Sequence, residues 1–194
     1  MNKDEYKNLS DIKIIEKFIE KKDDKIFEEI YKRYNKRIYS YMKRFLFYLS
    51  EDIIQELLND VFIKVYLNLS SLKNFNTFKR WLYQIAHNIC IDYLKSQQYR
   101  SAEHYNFDYM IDRRIDIEKD YMEKELRKFV FQEISKLNDD VREIIILKFY
   151  HSLTYEEISD ITNIPIPTLK YKLKEALTTL NRKLKAEGFI NEKL

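Results

Sequence analysis

Apolar residues recur every three or four positions along most of this chain, which is the spacing of amphipathic α-helices. The first half predicts four helices, the first of them short and running from about residue 11 to residue 20. Ser50 is placed to cap the third, because a serine hydroxyl can accept a hydrogen bond from a backbone N–H of the first turn. Short polar connections between the helices predict a compact bundle. The predicted buried stripes are, helix by helix, Ile12, Ile15 and Phe18 or Ile19; Phe27, Ile30, Tyr34, Ile38, Tyr41 and Phe45; Ile54, Leu57, Leu58, Val61, Phe62, Val65 and Leu69; and Trp81, Leu82, Ile85, Ile89 and Tyr93 or Leu94.

The helical spacing resumes from Leu126 and predicts a helix-turn-helix near the C-terminus. A short, very apolar helix at 141–150 precedes it. Residues 154–157 have the capping-box pattern, in which Thr and Glu side chains each accept a hydrogen bond from the other residue's backbone N–H. Two prolines, Pro165 and Pro167, then prevent one continuous helix. The buried stripe predicted for the last helix is Leu169, Leu173, Leu177, Leu180 and Leu184.

The composition favours an all-α protein. The 194 residues include 1 Gly and 2 Pro, whereas strand-rich folds and phosphate-binding loops need glycines for turns at positive φ. A single cysteine, Cys90, excludes a disulfide framework and a cysteine metal cluster, and fits a reducing compartment. The polar N-terminus has no signal-peptide core, and no apolar run reaches the length of a membrane span. The sequence therefore predicts a cytoplasmic protein with no membrane partner.

An acidic segment separates the two helical regions. Residues 103–125 contain eight acids and four bases, with weak helical spacing at their start. This composition is typical of a linker. The predicted organisation is a helical domain at 1–98, an acidic linker at 99–124 and a helix-turn-helix domain at 125–194.

The last helix carries a basic surface opposite its leucines. Residues 168–185 contain six bases and one acid, and the second helix of a helix-turn-helix can enter the DNA major groove. The side chains of its first two turns are placed to contact base edges, whereas Lys172, Arg182 and Lys183 fit phosphate contacts or solubilising charge. An ordinary helical hairpin with a solvated lysine face is the alternative. The candidate DNA-binding residues here are Pro167, Thr168, Lys170, Tyr171, Lys172, Lys174 and Glu175.

Two further patterns lie in the first domain. Residues 75–100 interleave aromatic and basic side chains, as a site for single-stranded DNA requires, although the helical spacing of Trp81 and Leu82 favours a place in the core for these two. The acids Asp52, Glu56 and Asp60 are four residues apart and share one helix face. That face could dock a basic partner or be merely solvated.

Catalytic chemistry has little support in the sequence. His87, His104 and His151 are scattered without metal-ligand spacing, and no nucleophile lies in a recognisable elbow. We therefore expect no enzymatic activity, no metal and no cofactor.

Several motifs resemble those of bacterial RNA polymerase sigma factors of the small two-domain, extracytoplasmic-function (ECF) type. In the first domain FEEIYKRY at 27–34 resembles the family's FEELYRRY, and ELLNDVFIK at 56–64 resembles DLVQEVFLK. FKRWLYQIAHNICIDYL at 78–94 resembles FRAWLYRIARNLALDYL. In the last domain LTYEEIS at 153–159 resembles LSYEEIA, and IPIPTLK at 164–170 resembles IPVGTVK, with Pro167 in place of the family's glycine. The Lys- and Ile-rich style is also similar to the divergent sigma factors that switch on toxin or bacteriocin genes in low-G+C anaerobes.

The resemblance implies a promoter-specificity subunit with a sigma-two domain and a sigma-four domain. The polymerase would supply catalysis, and this chain would bind core RNA polymerase and promoter DNA, with an anti-sigma factor as a further candidate partner. The −35 element would be read by the last helix, and the linker would thread toward the RNA exit path. The implied core polymerase-binding residues are Asp52, Glu56, Asn59, Asp60, Phe62 and Lys64. The implied −10 element and melting residues are Asn74, Phe75, Asn76, Lys79, Arg80, Trp81, Tyr83 and Asn88.

Two other classes of protein are compatible with the helical pattern. One is an autonomous helix-turn-helix regulator, which would bind a specific duplex without polymerase. The other is a helical adaptor with no DNA role, which would tolerate charge reversal of Lys170 and Lys174.

Overall fold

All secondary structure in residues 6–97 and 121–190, the portion that the computed structural model describes, is helical, as the sequence predicts. Most of the predicted acidic linker lies outside these residues. Contacts divide the chain into two compact units: unit 1 contains the first four helices, and unit 2 contains the fifth, sixth and eighth helices and most of the seventh. The helices are α1 (Asp11–Lys21), α2 (Asp24–Phe45), α3 (Glu51–Asn68), α4 (Phe78–Gln97), α5 (Tyr121–Ser135), α6 (Asp139–Ile145), α7 (Tyr155–Thr162) and α8 (Ile166–Ala186).

The helices of unit 1 begin at side-chain caps that the sequence supplies. Ser50 Oγ accepts a hydrogen bond of 3.4 Å from the backbone N–H of Ile53, which confirms the predicted start of α3. Ser10 caps α1 and Asp23 caps α2 in the same way. These bonds satisfy backbone donors that have no acceptor within the helix.

The core of unit 1 follows the predicted stripes closely, with one error in α1. Ile12 is exposed, and Ile14 is buried in its place beside the predicted Ile15. In α2 the buried side chains include Ile30, Tyr34 and Ile38. Tyr66 of α3 packs edge-on against Phe18 and Phe27, with ring centroids 5.4 and 5.0 Å apart, and so closes the core between α1, α2 and α3.

Arg33 ties the N-terminal segment to α2. Its guanidinium donates hydrogen bonds to Asp11 Oδ1 at 2.8 Å, to Glu29 Oε1 at 2.9 Å, and to the backbone oxygens of Tyr6 and Lys7 at 3.1 and 2.9 Å. One side chain thereby satisfies four acceptors on three segments of unit 1.

In unit 2, α6 continues into a wider π-helical turn, Ile146–Tyr150, instead of forming the single α-helix predicted at 141–150. The change of pitch lets consecutive side chains face the core, and Ile144, Ile145, Ile146 and Leu147 are all buried. Arg142 is also buried and donates hydrogen bonds of 3.0 Å to the backbone oxygens of Ser135 and Leu137, which fixes the turn between α5 and α6.

The predicted helix-turn-helix consists of α7 and α8. The capping box is present: Thr154 Oγ1 accepts from the N–H of Glu157 at 3.1 Å, and Glu157 Oε2 accepts from the N–H of Thr154 at 2.8 Å. Asn163 ends α7 at a φ of 58°, a left-handed conformation that asparagine adopts more readily than most residues. Pro167 lies in the first turn of α8, where its missing N–H costs no helical hydrogen bond.

The buried stripe of α8 is shorter than predicted. Leu169, Leu173 and Ala176 are buried, whereas Leu177 is exposed and the prediction for it is wrong. Leu180 and Leu184 are half-buried. Ala176 therefore occupies the buried position next to Leu177 on α8.

Candidate nucleic-acid and partner interfaces

The first two turns of α8 present an exposed surface of mixed chemistry. Lys170, Tyr171, Lys174 and Glu175 are exposed, and the Tyr171 side chain has 65% of its surface accessible. Pro167 is also exposed and Thr168 is half-buried. The capped α7 and the tight turn hold α8, so the structure brings these predicted residues together on one unit. We call Pro167, Thr168, Lys170, Tyr171, Lys174 and Glu175 the recognition surface.

Lys172 points away from this surface. It is half-buried, and its ammonium donates to Asp140 of α6. Lys183, one of the predicted phosphate contacts, likewise pairs with the buried Glu133 of α5. Both lysines tie α8 to the rest of unit 2 through these ion pairs.

The candidate residues for single-stranded DNA lie on the turn before α4 and on α4 itself. Asn74 Oδ1 accepts from the N–H of Asn76 at 3.1 Å, and the Thr77 hydroxyl donates to the backbone oxygen of Asn74 at 2.7 Å. These bonds fix the turn while Asn74 and Asn76 stay exposed and Phe75 half-buried. Lys79 and Arg80, also half-buried, follow directly in the first turn of α4. The turn and the start of α4 therefore form one continuous candidate surface.

The aromatic candidates of α4 divide between surface and core. Trp81 is half-buried and packs on Phe78 with ring centroids 6.1 Å apart, so some of its indole remains accessible. Tyr83 is 1% exposed and packs against Tyr41 at 5.6 Å. The predicted DNA contact of Tyr83 is therefore corrected to a core position. Asn88 is exposed farther along the helix.

The acidic face predicted on α3 is present at the surface. Asp52, Glu56, Asn59, Asp60 and Lys64 are all exposed. Phe62 is 4% exposed and packs against Tyr31 with ring centroids 4.7 Å apart. Its predicted contact with polymerase is corrected to a core position that orients the helix.

Two apolar residues beside this face escaped the sequence prediction. Ile63 is 56% exposed and Leu67 is 69% exposed, four residues apart on α3. The sequence contains a signal that could have identified them, because both are aliphatic residues that lie off the buried stripe of α3. We call Asp52, Glu56, Asn59, Asp60, Ile63, Lys64 and Leu67 the docking face. Glu56 also influences Tyr93 of α4. Burial raises the pKa of Tyr93, and the negative charge of Glu56 raises it further.

The residues that the structure describes contain neither a metal-binding cluster nor a membrane-spanning helix. No group of three or more His, Cys, Asp or Glu side chains there could hold a metal ion. Among the same residues, none of the helices combines the length and the apolar character needed to cross a membrane.

Both units match regions of a known protein family. The sequence model of Sigma-70 region 2 matches residues 30–100, and that of Sigma-70 region 4 matches residues 130–180. Two regions of a sigma-70-type factor are therefore present, in the order that the motifs predicted. Among curated proteins, the ECF RNA polymerase sigma-E factor of Haemophilus influenzae is 28% identical over 91% of this chain and 96% of its own length. The sigma-E factor of Escherichia coli is 29% identical over 91% and 95%.

Solved structures share the fold. CnrH, in complex with the cytosolic domain of CnrY, superposes with a TM-score of 0.64 at 16% identity, covering 91% of this chain and 97% of that one. The sigma factor RpoE of Bartonella quintana, in complex with the anti-sigma factor NepR, gives a TM-score of 0.61 at 19% identity, covering 82% and 96%. The chain belongs to the RNA polymerase sigma factors of the extracytoplasmic-function type. It is a transcription initiation factor, and an autonomous helix-turn-helix regulator is not favoured.

Proposed function

We propose that the recognition surface of α8 reads the −35 element of a promoter while the docking face of α3 holds core RNA polymerase. The observation that carries this proposal is the exposed recognition surface at the start of the second helix of a capped helix-turn-helix. Side chains at this position of a helix-turn-helix reach base edges in the major groove. Tyr171 and Glu175 offer apolar and acceptor groups there, and Lys170 and Lys174 offer positive charge.

Docking to polymerase fits the mixed chemistry of α3. An interface with an apolar centre and a charged rim combines burial with orientation, because charge complementarity steers the encounter and fixes the register. Ile63 and Leu67 supply exposed apolar area, and Glu56 and Asp60 supply the adjacent negative charge. A basic partner surface with an apolar centre is the expected complement on the polymerase.

Capture of the −10 strand is assigned to the turn before α4 and the first turns of that helix. Unpaired bases stack on aromatic side chains, and cations beside them hold the phosphates. Phe75 and Trp81 are the half-buried aromatics of this region, and Lys79 and Arg80 are its cations. Asn74, Asn76 and Asn88 add exposed amides that can pair with base edges.

The remaining assignments follow from the same role. We assign residues 1–98 to the polymerase and −10 functions, 125–194 to the −35 function, and 99–124 to the linker. The polymerase performs the chemistry, so this chain contributes recognition and strand capture without catalysis. Its compartment is the cytoplasm, where bacterial transcription takes place. An anti-sigma factor is proposed as a regulatory partner, because the sigma factor RpoE, which has a similar fold, was solved in complex with the anti-sigma factor NepR.

Run-off transcription on fragmented genomic DNA of the source organism tests this function. Core polymerase with the chain should give discrete transcripts that core polymerase alone does not give. With the chain below the concentration that saturates core polymerase, Asp60→Lys on the docking face and Lys174→Glu on the recognition surface should each strongly reduce them. The matched controls are Glu16→Lys on α1 and Lys185→Glu at the end of α8, which reverse the charge of exposed residues outside both surfaces.

Two results would contradict the proposal. The first is the absence of new transcripts together with a failure to co-elute with core polymerase. The second is transcription that the control substitutions reduce as strongly as the test substitutions, because the effect would then reflect net charge and not a defined surface.

A further inference from the structure

Tyr155, the first residue of α7, is flanked by two lysines from different helical segments. The Lys148 ammonium lies 4.5 Å from the centroid of the Tyr155 ring, and the Lys170 ammonium lies 5.4 Å from it. Both distances fall within the range of cation–π attraction. Lys148 comes from the π-helical turn and also donates to the backbone oxygen of Leu153 at 3.1 Å. Lys170 comes from the recognition surface, so the ring links this surface to α7.

The ring also forms one wall of an open groove along α8. The groove has a volume of about 340 Å³. Lys170 and Lys174 are four residues apart and therefore lie on the same side of the helix. The groove continues along α8 toward polar side chains that can donate hydrogen bonds. Its lining residues are Tyr155, Lys170, Leu173, Lys174, Leu177, Thr178 and Asn181.

The charges around Tyr155 favour an anion at the groove. Glu156 is the neighbouring acid, and its pKa lies below the usual value, chiefly through a hydrogen bond from its own backbone N–H and also through Thr154 and the charges of Lys170 and Lys148. One carboxylate thus faces two ammonium groups, while Lys174 adds a third positive charge at the groove. A free lysine side chain samples many rotamers, and contact with a ring face reduces this freedom before any ligand binds.

We propose that Tyr155 is a positioning residue that holds the Lys170 ammonium beside Lys174 so that both contact backbone phosphates of promoter DNA. The proposal rests on the function proposed for α8 and extends it to a residue of α7. Phosphate is the expected ligand because an ammonium group is a compact charge without the paired donors that read a base edge. The ring then contributes to affinity without touching the DNA.

The test measures the affinity of the assembled holoenzyme for a promoter fragment obtained from the run-off experiment, over a series of salt concentrations. Lys170→Met should weaken binding and lower the slope of log affinity against log salt by about 1. Tyr155→Leu should weaken binding roughly two- to five-fold, as expected for the loss of one exposed cation–π contact. Tyr155→Phe keeps the ring and should bind like the wild type. In the Lys170→Met background, Tyr155→Leu should cost nothing further.

Each alternative outcome overturns a specific element of the proposal. Tyr155→Leu with unchanged or tighter binding would mean that the ring does not position Lys170, or sequesters it. If Tyr155→Leu lowers the affinity equally in the wild-type and Lys170→Met backgrounds, the role of Tyr155 is structural and does not act through Lys170. Lys174→Met should weaken binding equally in the wild-type and Tyr155→Leu backgrounds, which shows that the variant remains folded. If neither Lys170→Met nor Lys174→Met weakens binding, the proposed DNA-binding function of α8 is refuted. If only Lys174→Met weakens binding, the proposed positioning role of Tyr155 is refuted and DNA binding by α8 is retained.

Discussion

At the scale of single residues, unit 1 depends on a few polar side chains that each connect several segments. Arg33 is one, and Tyr34 beside it is another: its hydroxyl donates to Asp11 Oδ2 at 2.5 Å. Burial and this hydrogen bond both raise the pKa of Tyr34, so it remains neutral and keeps donating. Asp11 thus accepts from both side chains and anchors the start of α1 on α2.

Arg33→Met should destabilise unit 1 by about 2 kcal/mol, because hydrogen bonds to charged groups contribute more than neutral ones and four acceptors lose their donor. Urea unfolding followed by the fluorescence of Trp81, the single tryptophan of the chain, measures this in unit 1. The matched control is Lys32→Met, which removes an exposed ion pair with Glu28 and should change stability by less than about 0.5 kcal/mol. Equal effects of the two substitutions would refute the anchoring role.

In unit 2 the corresponding residue is Glu133, which is buried and accepts hydrogen bonds from Lys136 at 2.5 Å and from Lys183. These bonds lower the pKa of Glu133 below its ordinary value of 4.5. Since the folded pKa is depressed, the carboxylate stabilises unit 2 fully above that ordinary value, and the contribution is lost as pH falls through the folded value.

Glu133→Gln should therefore destabilise unit 2 at pH 7 by roughly 1 kcal/mol and should flatten its stability profile below about pH 4.5. Urea unfolding by far-UV circular dichroism between pH 3 and pH 7 measures both effects. Trp81 fluorescence, which reports unit 1, should be the same in variant and wild type. Glu125→Gln, an exposed acid on α5, should leave the profile unchanged.

At the scale of helical elements, local signals predicted the helix ends better than the buried faces. The caps formed by Ser50 and by the Thr154–Glu157 pair are predicted correctly, because a cap depends on a few neighbouring residues. Ile12 and Leu177 were assigned to the core incorrectly because a spacing of three or four fits several helix faces. Only packing against other helices selects one of them, as the burial of Ala176 shows.

In the candidate surfaces too, local sequence motifs identify many of the residues, whereas tertiary contacts decide which of them are buried or paired. The sequence motifs predicted most of the recognition surface and the docking face. Phe62 and Tyr83 lie within motifs but are buried, since a motif contains core and contact residues alike. Lys172 lies in the basic run but pairs with Asp140, a residue thirty-two positions earlier that no local pattern connects to it.

The capping box of α7 makes an element-scale prediction. Thr154→Ala should destabilise unit 2 by about 1 kcal/mol, because the side-chain acceptor of the Glu157 N–H is lost. Thermal unfolding by circular dichroism measures the loss. Thr179→Ala, in the interior of α8, should be neutral or slightly stabilising because alanine has the higher helix propensity. A destabilisation by Thr179→Ala as large as that by Thr154→Ala would show that the cap is not the cause.

At the scale of the whole molecule, the docking face and the recognition surface lie in different compact units of one chain. Under the proposed function, binding to polymerase and binding to the promoter are therefore two separable equilibria. A defect in binding to polymerase can be overcome by mass action, because more of the chain restores the occupancy of core polymerase. A defect in binding to the promoter cannot be overcome by adding more of the chain, because every polymerase then already carries the factor with the weakened recognition surface.

This difference predicts how transcription depends on the concentration of the factor at fixed core polymerase and limiting promoter. Asp60→Lys should raise the concentration needed for half-maximal transcription and leave the plateau unchanged, since saturated polymerase still carries an intact recognition surface. Lys174→Glu should leave the half-maximal concentration unchanged and lower the plateau, because α8 then repels the DNA phosphates. A lower plateau for Asp60→Lys would place that residue in promoter binding as well as docking. A raised half-maximal concentration for Lys174→Glu would place the recognition surface in contact with polymerase, and the two surfaces would no longer act separately.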